Sequence, residues 1–148
     1  MVWGCFSWEG VGPIHLIEST MDRFVYKDLL ETVMLPYAEE NMPLVWQFQQ
    51  DNDPKHSSKL VCEWFRQHNL KVVEWPSQSP DLNPIENLWG ELKRKLARLP
   101  CRNKKELWEN IQQEWYNMPI ETCRKLISSM PKRIEAVIRS KGGYSCII

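Results

Sequence analysis

An apolar run at 44–50, Leu-Val-Trp-Gln-Phe-Gln-Gln, stops abruptly at Asp51-Asn52-Asp53-Pro54. A helical pattern follows over about 57–68, with Leu60, Val61, Trp64 and Phe65 on one face, and a second apolar run occupies 71–75. A strand, a helix and a strand in this order leave the chain few options. Short connections and the right-handed crossover rule place the two strands parallel, with the helix packed across them. In such sheets ligands bind beyond the carboxyl ends of the strands. Asp51, the first residue after the run, is therefore expected at that edge.

The flanks extend this α/β pattern. Residues 2–7 and 13–18 read as strands around a turn at Gly10-Val11-Gly12. Ser19 or Thr20 is expected to cap a helix with Asp22 in its first turn. Its apolar face is Phe24, Tyr26, Leu29, Leu30, Val33 and Met34, and it ends at Pro36 or near Asn41-Met42-Pro43. After the 71–75 strand, 76–83 is a turn-rich connection. Asn83 then suits an N-cap, Pro84 the first helical position and Glu86 the third position after the cap. The helix from 84 to about 98 aligns Ile85, Leu88, Trp89, Leu92, Leu96 and Leu99. Further helices are expected at 104–117, 120–129 and 132–140, with Gly142-Gly143 as a stop and an apolar tail at 144–148.

Composition narrows the class. A chain of 148 residues with 43% hydrophobic content suits one domain, burying roughly 70% of its unfolded surface, and is too apolar for disorder. Mean hydropathy is −0.49. No run approaches the roughly 20 apolar residues of a membrane span, and the N-terminus lacks signal-peptide character. The five cysteines are scattered without a Cys-x-x-Cys pair. They read as buried or incidental thiols of a reducing, intracellular protein. Trp46, Trp64, Trp75, Trp89, Trp108 and Trp115 sit on apolar stripes and are expected in the core more than as base-stacking platforms.

Two carboxylates carry the chemistry. Asp51 ends one strand, and Glu86 opens the helix after the neighbouring strand, with 34 residues between them. Both can reach the same end of the sheet. Converging carboxylates without a histidine cluster suit a hard cation such as magnesium. Two such ions about 3.5–4 Å apart serve phosphoryl transfer on nucleic acid. The spacing alone leaves open a plainer reading, in which Glu86 completes a capping box and Asp51 and Asp53 are turn residues. His56 either borders the site or is a polar group at a helix start.

The residues themselves go further. Gln49-Gln50-Asp51-Asn52-Asp53-Pro54-Lys55-His56 and the block from Glu74-Trp75-Pro76-Ser77 through Asp81-Leu82-Asn83-Pro84-Ile85-Glu86-Asn87-Leu88-Trp89 closely resemble the cut-and-paste DNA transposases of the Tc/mariner superfamily. Val2-Trp3-Gly4-Cys5-Phe6-Ser7 and 131–138 look similar too. The resemblance implies an RNase H-like fold: α/β, a mixed sheet with flanking helices and a helical C-terminal end. It implies an Asp, Asp, Glu triad holding two magnesium ions, with manganese as a substitute and no small-molecule cofactor. Asp51 matches the second acid and Glu86 the third; Asp53 is a neighbour in the motif. The first Asp of the family lies on a central strand upstream of the strand that resembles 2–7. The chain is therefore expected to be one partial catalytic domain, a truncated remnant or a fragment of a longer gene model, with a helical extension over about 101–141 and no activity alone.

The formal net charge of zero hides a gradient. Residues 1–50 carry net −5, residues 51–100 net +1 and residues 101–148 net +4. Lys93, Arg94, Lys95, Arg98, Arg102, Lys104 and Lys105 form a run free of acids that begins in the last turns of the helix that carries Glu86. Such cations supply affinity for a phosphate backbone without reading sequence. They also suit a solvated helix end. DNA, as transposon ends and target, is the expected partner in a nuclear setting, and a homodimer is left open. The alternative is a non-catalytic, repurposed DNA-binding or self-associating protein, which would need neither carboxylate.

Overall fold

A computed structural model describes residues 1–74 and 82–139. The expected strand end at Trp75, the 76–81 connection, the Gly142-Gly143 stop, the 144–148 tail and Cys146 lie outside these residues. The chain divides into two compact units, Met1–Gly4 with His15–Ser79, and Cys5–Ile14 with Pro80–Ile148.

The opening hairpin pairs β1 (Val2–Ser7) with β2 (Gly10–Leu16). Its base is closed by Ile17 N–H donating to the Met1 carbonyl at 2.8 Å. The turn falls at Trp8-Glu9, earlier than expected, and Gly10 and Gly12 belong to β2. Gly10 sits at φ 121°, and a Cβ there would meet Ile120 at 3.3 Å. The glycine therefore marks a left-handed, close-packed strand position, not the tip of the turn.

In the first unit, α1 (Arg23–Leu29), a π-helical turn (Leu30–Met34) and α2 (Leu35–Asn41) run on continuously. Asp22 is the N-cap, in place of Ser19 or Thr20. Its carboxylate accepts from Phe24 N–H at 2.9 Å and Val25 N–H at 2.8 Å. Pro36 does not stop the helix. The wide turn comes just before it, where a proline ring would otherwise press on the carbonyl four residues back. Phe24, expected on the apolar face, is exposed and lies under the Arg23 guanidinium.

The expected parallel pair is present, but short. β3 (Gln47–Phe48) pairs with β4 (Lys71–Val72) in parallel register, Gln47 to Lys71 and Phe48 to Val72. Leu44 and Val45 are almost wholly exposed, so the apolar run contributes only its last part to the ladder. Among the described residues the strands form two separate two-stranded sheets, not one mixed sheet. β1 and β3 each pair on one side.

Helix α3 (Lys59–Gln67) is capped by Ser58 and buries Val61, Trp64 and Phe65. It ends in a Schellman turn. Asn69, at φ 53°, donates to the Arg66 carbonyl, and Leu70 donates to that of Phe65. This reversal delivers the chain directly into β4. Tyr26, Leu29, Leu30, Met34, Phe48, Val61, Trp64 and Phe65 form the core of the unit.

The second unit is mainly helical: α4 (Ile85–Leu96), α5 (Lys104–Tyr116), α6 (Ile120–Ser128) and α7 (Met130–Arg139). Trp115 is fully buried, stacks on Trp89 with ring centroids 4.8 Å apart, and donates from Nε1 to the Gly12 carbonyl at 2.9 Å. Trp64 and Trp115 are thus core residues, as expected; Trp46, Trp89 and Trp108 are half-buried. Cys5, Cys62, Cys101 and Cys123 are free thiols. Burial pushes the Cys5 thiol up to about 12, so it stays protonated and unreactive at neutral pH.

Two substitutions check this packing by urea unfolding. Asn69→Val should cost about 1–2 kcal/mol, because a β-branched residue resists the left-handed conformation, whereas Asn69→Gly should cost nothing. Trp115→Phe should cost about 1–3 kcal/mol by removing the donor to the buried Gly12 carbonyl.

Candidate functional site

Asp51 lies three residues beyond the end of β3, not immediately after it, because the ladder stops at Phe48. The intervening residues are held by side chains. Gln50 accepts from the Tyr26 hydroxyl at 2.7 Å and donates to the His56 carbonyl at 3.1 Å. Asp53 N–H donates to Asp51 Oδ1 at 3.2 Å, and the same oxygen contacts His56 Nδ1. The Asp51 side chain is 52% exposed, so it stands at the surface of an organised loop.

Asp53 has a different task. Its Oδ1 accepts from Lys55 N–H at 2.9 Å, and its carbonyl accepts from the N–H groups of His56 and Ser57. Partial burial pushes its carboxyl up, but the Lys55 hydrogen bond and the nearby Lys55 and His56 charges outweigh this and hold it below the usual range. Asp53 therefore builds the turn.

Glu86 occupies the first turn of α4 and is exposed. The expected capping box is not formed. Pro84, not Asn83, takes the N-cap position, and no side chain caps the helix. Pro84 adopts a right-handed helical conformation, which starts the helix one position later than the sequence suggests. Among the described residues, no side chain pairs with the Glu86 carboxylate.

Asp51 belongs to the first unit and Glu86 to the second. The donor chemistry of both is right for a hard cation. Their number is short of a full set, since no group of three acid, histidine or cysteine side chains able to hold an ion occurs among the described residues.

All seven expected phosphate contacts are on the described surface. Six are exposed and Lys95 is half-buried. The fold brings acids to three of them that the linear run does not contain. Arg94 pairs with Glu91 at 2.7 Å, Lys95 with Glu114 at 3.7 Å and Lys105 with Glu109 at 4.0 Å. The exposed pairs of Arg94 and Lys105 hold about 0–1 kcal/mol each and yield readily to a phosphate, whereas the Lys95–Glu114 pair is half-buried. The side-chain cations of Lys93, Arg98, Arg102 and Lys104 pair with no acid among the described residues; Arg102 meets Glu106 only through its backbone N–H, at 2.7 Å. His56 is the functional neighbour that sequence reasoning left ambiguous. The signal was its place five residues after Asp51 in the Asp-Asn-Asp-Pro-Lys-His segment.

Residues 2–108 match the model of the DDE superfamily endonuclease family. The chain belongs to that family. It is 49% identical over 142 residues to the Tcb1 transposable element transposase of Caenorhabditis briggsae, covering 96% of this chain and 52% of that protein. Identity to the Tc1 transposase of Caenorhabditis elegans is 46% over 142 residues, with the same coverage. The Tc3 transposase of that organism is 33% identical over 147 residues, covering 96% of this chain and 44% of the relative. The chain thus spans about half the length of the curated relatives it matches. The catalytic domain of Mos1 mariner transposase superposes with a TM-score of 0.83 at 21% identity, over 97% of this chain and 74% of that one. In a Mos1 paired-end complex with Mn the score is 0.88, over 97% of this chain and 44% of that one. The Tc/mariner resemblance and the RNase H-like fold are both borne out.

The division of labour between the two loop aspartates is open to test. Asp53→Ala should lower stability by about 0.5–2 kcal/mol, the usual cost of a lost side-chain-to-backbone cap, whereas Asp51→Asn should leave the urea midpoint nearly unchanged. The Asp53 contribution has a sign. A depressed carboxyl stabilises the fold above its unfolded pKa, and this is lost as pH falls through the folded value. The difference between wild type and Asp53→Ala should therefore shrink in acid.

Proposed function

We propose that the chain is part of a transposase catalytic domain that cuts and joins transposon DNA by metal-dependent phosphoryl transfer. The observation that carries this reading is the placement of Asp51 beyond the carboxyl end of a parallel strand and of Glu86 in the first turn of α4, with its carboxylate unused by the helix cap. The relatives named as transposases support it. The alternative of a non-catalytic DNA-binding or self-associating protein needs neither acid and gains no support from those relatives.

Asp51 and Glu86 would hold magnesium, or manganese in its place, together with an acid that the match does not assign to these 148 residues. When bound, two such ions lower the pKa of the attacking oxygen and offset charge on the leaving one. The chain's own residues do the rest. The carboxylates fix the approach to the scissile phosphate, and the Lys93–Lys105 cations draw the backbone towards Glu86. Their Lys and Arg contacts are sequence-independent, so recognition of a particular transposon end belongs elsewhere. The setting is nuclear, the DNA is transposon end and target, and a second copy is a candidate partner for joining two ends. Within this reading the helical extension of the catalytic domain begins near residue 101.

In the full-length gene product containing this chain, Asp51→Asn and Glu86→Gln should each reduce magnesium-dependent cleavage of transposon-end duplex at least about 100-fold. Unchanged cleavage in either variant contradicts the assignment. The chain alone should bind duplex DNA weakly, with log affinity falling against log salt at a slope of about −3 to −4, as expected for roughly four phosphate contacts. Replacing Arg98 and Arg102 with Gln should flatten that slope by about 2.

A further inference from the structure

His56 is more than a helix-start residue. Its ring stacks on Tyr26 with centroids 4.0 Å apart and planes 30° from parallel. Tyr26 is almost completely buried in the core of the first unit. The ring is thus held by a rigid helix, and the His56 backbone is held by Gln50, which is itself fixed by the Tyr26 hydroxyl. The His56 side chain is 16% exposed, against 52% for Asp51. A half-buried, clamped ring therefore presents Nδ1 to the more exposed Asp51 carboxylate. In the tautomer that carries its hydrogen on Nδ1, the ring donates to Asp51 Oδ1. Oδ1 receives both this N–H and that of Asp53, while Oδ2 has no partner among the described residues.

We propose that His56 is a positioning residue for Asp51. It locks one carboxylate oxygen against the Tyr26 platform, so that the other faces outward to receive a divalent cation. Carboxylates that bind metals are themselves commonly oriented by hydrogen bonds, and loss of such a partner typically weakens metal binding 10–100-fold. The inference rests on the reading of Asp51 as a metal ligand.

The ring and the nitrogen can be separated. His56→Phe keeps a ring against Tyr26 and removes the donor. His56→Asn keeps a donor close to the Nδ1 position and removes the stack. Manganese dissociation constants for the 148-residue chain, read by electron paramagnetic resonance of the free ion, are compared with thermal midpoints. His56→Phe should weaken manganese binding about 10-fold with an unchanged midpoint. His56→Asn should bind within about 2-fold of wild type while its midpoint falls by about 2–4 °C. Wild-type manganese affinity in His56→Phe overturns the proposal, as does an affinity that merely follows the midpoint across both variants. Asp51→Asn separates the two levels of the argument. If it too binds manganese as wild type does, the ligand assignment of Asp51 fails. If it loses binding while His56→Phe retains it, only the positioning role fails.

Discussion

The parallel ladder between β3 and β4 is two residue pairs long, and the loop that carries Asp51 starts from it. Backbone hydrogen bonds contribute only about 0.5–1.5 kcal/mol each after desolvation, so so short a ladder cannot hold itself. What fixes it is the apolar face of α3. Val61, Trp64 and Phe65 are buried, and the Phe48 ring meets Phe65 with centroids 5.6 Å apart. The Schellman turn at Asn69 then sets where β4 enters, and Val73 N–H extends the pairing to the Phe48 carbonyl at 2.8 Å. Once Phe48 is anchored, only Gln49 and Gln50 separate it from Asp51, and Gln50 is bound at both ends of its amide.

The site is therefore organised by packing at some distance from the carboxylate. Tyr26 links the levels: its ring lies in the core and carries His56, while its hydroxyl holds Gln50. Asp53 closes the turn, and Asp51, which also accepts from a backbone N–H, is the more exposed of the two acids. Glu86 sits where a capping acid would, yet the cap does not use it.

Much of this was legible in the sequence because periodicity and burial agree. The α3 stripe, the helices at 104–117 and 120–129, and the parallel order of the two strands follow from apolar spacing and connection length. The errors have physical causes. Leu44 and Val45 look like strand residues, but both are exposed, so hydrophobicity alone overstated β3. Gly10 and Gly12 look like a turn, but both lie in β2, where Gly10 takes a positive φ close against Ile120. Pro36 looks like a stop, yet a single wide helical turn accommodates it. The acid partners of Arg94, Lys95 and Lys105 could not be foreseen for Lys95, whose Glu114 comes from another helix; the other two stand at helical spacing and were visible in principle. The role of His56 needed the Tyr26 ring, thirty residues earlier, which no local pattern reveals.

The central proposal is that Asp51 and Glu86 are both ligands to divalent metal. Paramagnetic broadening by manganese in the amide spectrum of the isotopically labelled chain tests it most directly. The account predicts that substoichiometric manganese broadens the amides around Asp51 and around Glu86 over the same concentration range, and that Asp51→Asn weakens both effects together. Broadening confined to one of the two segments, or surviving at Glu86 unchanged when Asp51 is replaced, would contradict it.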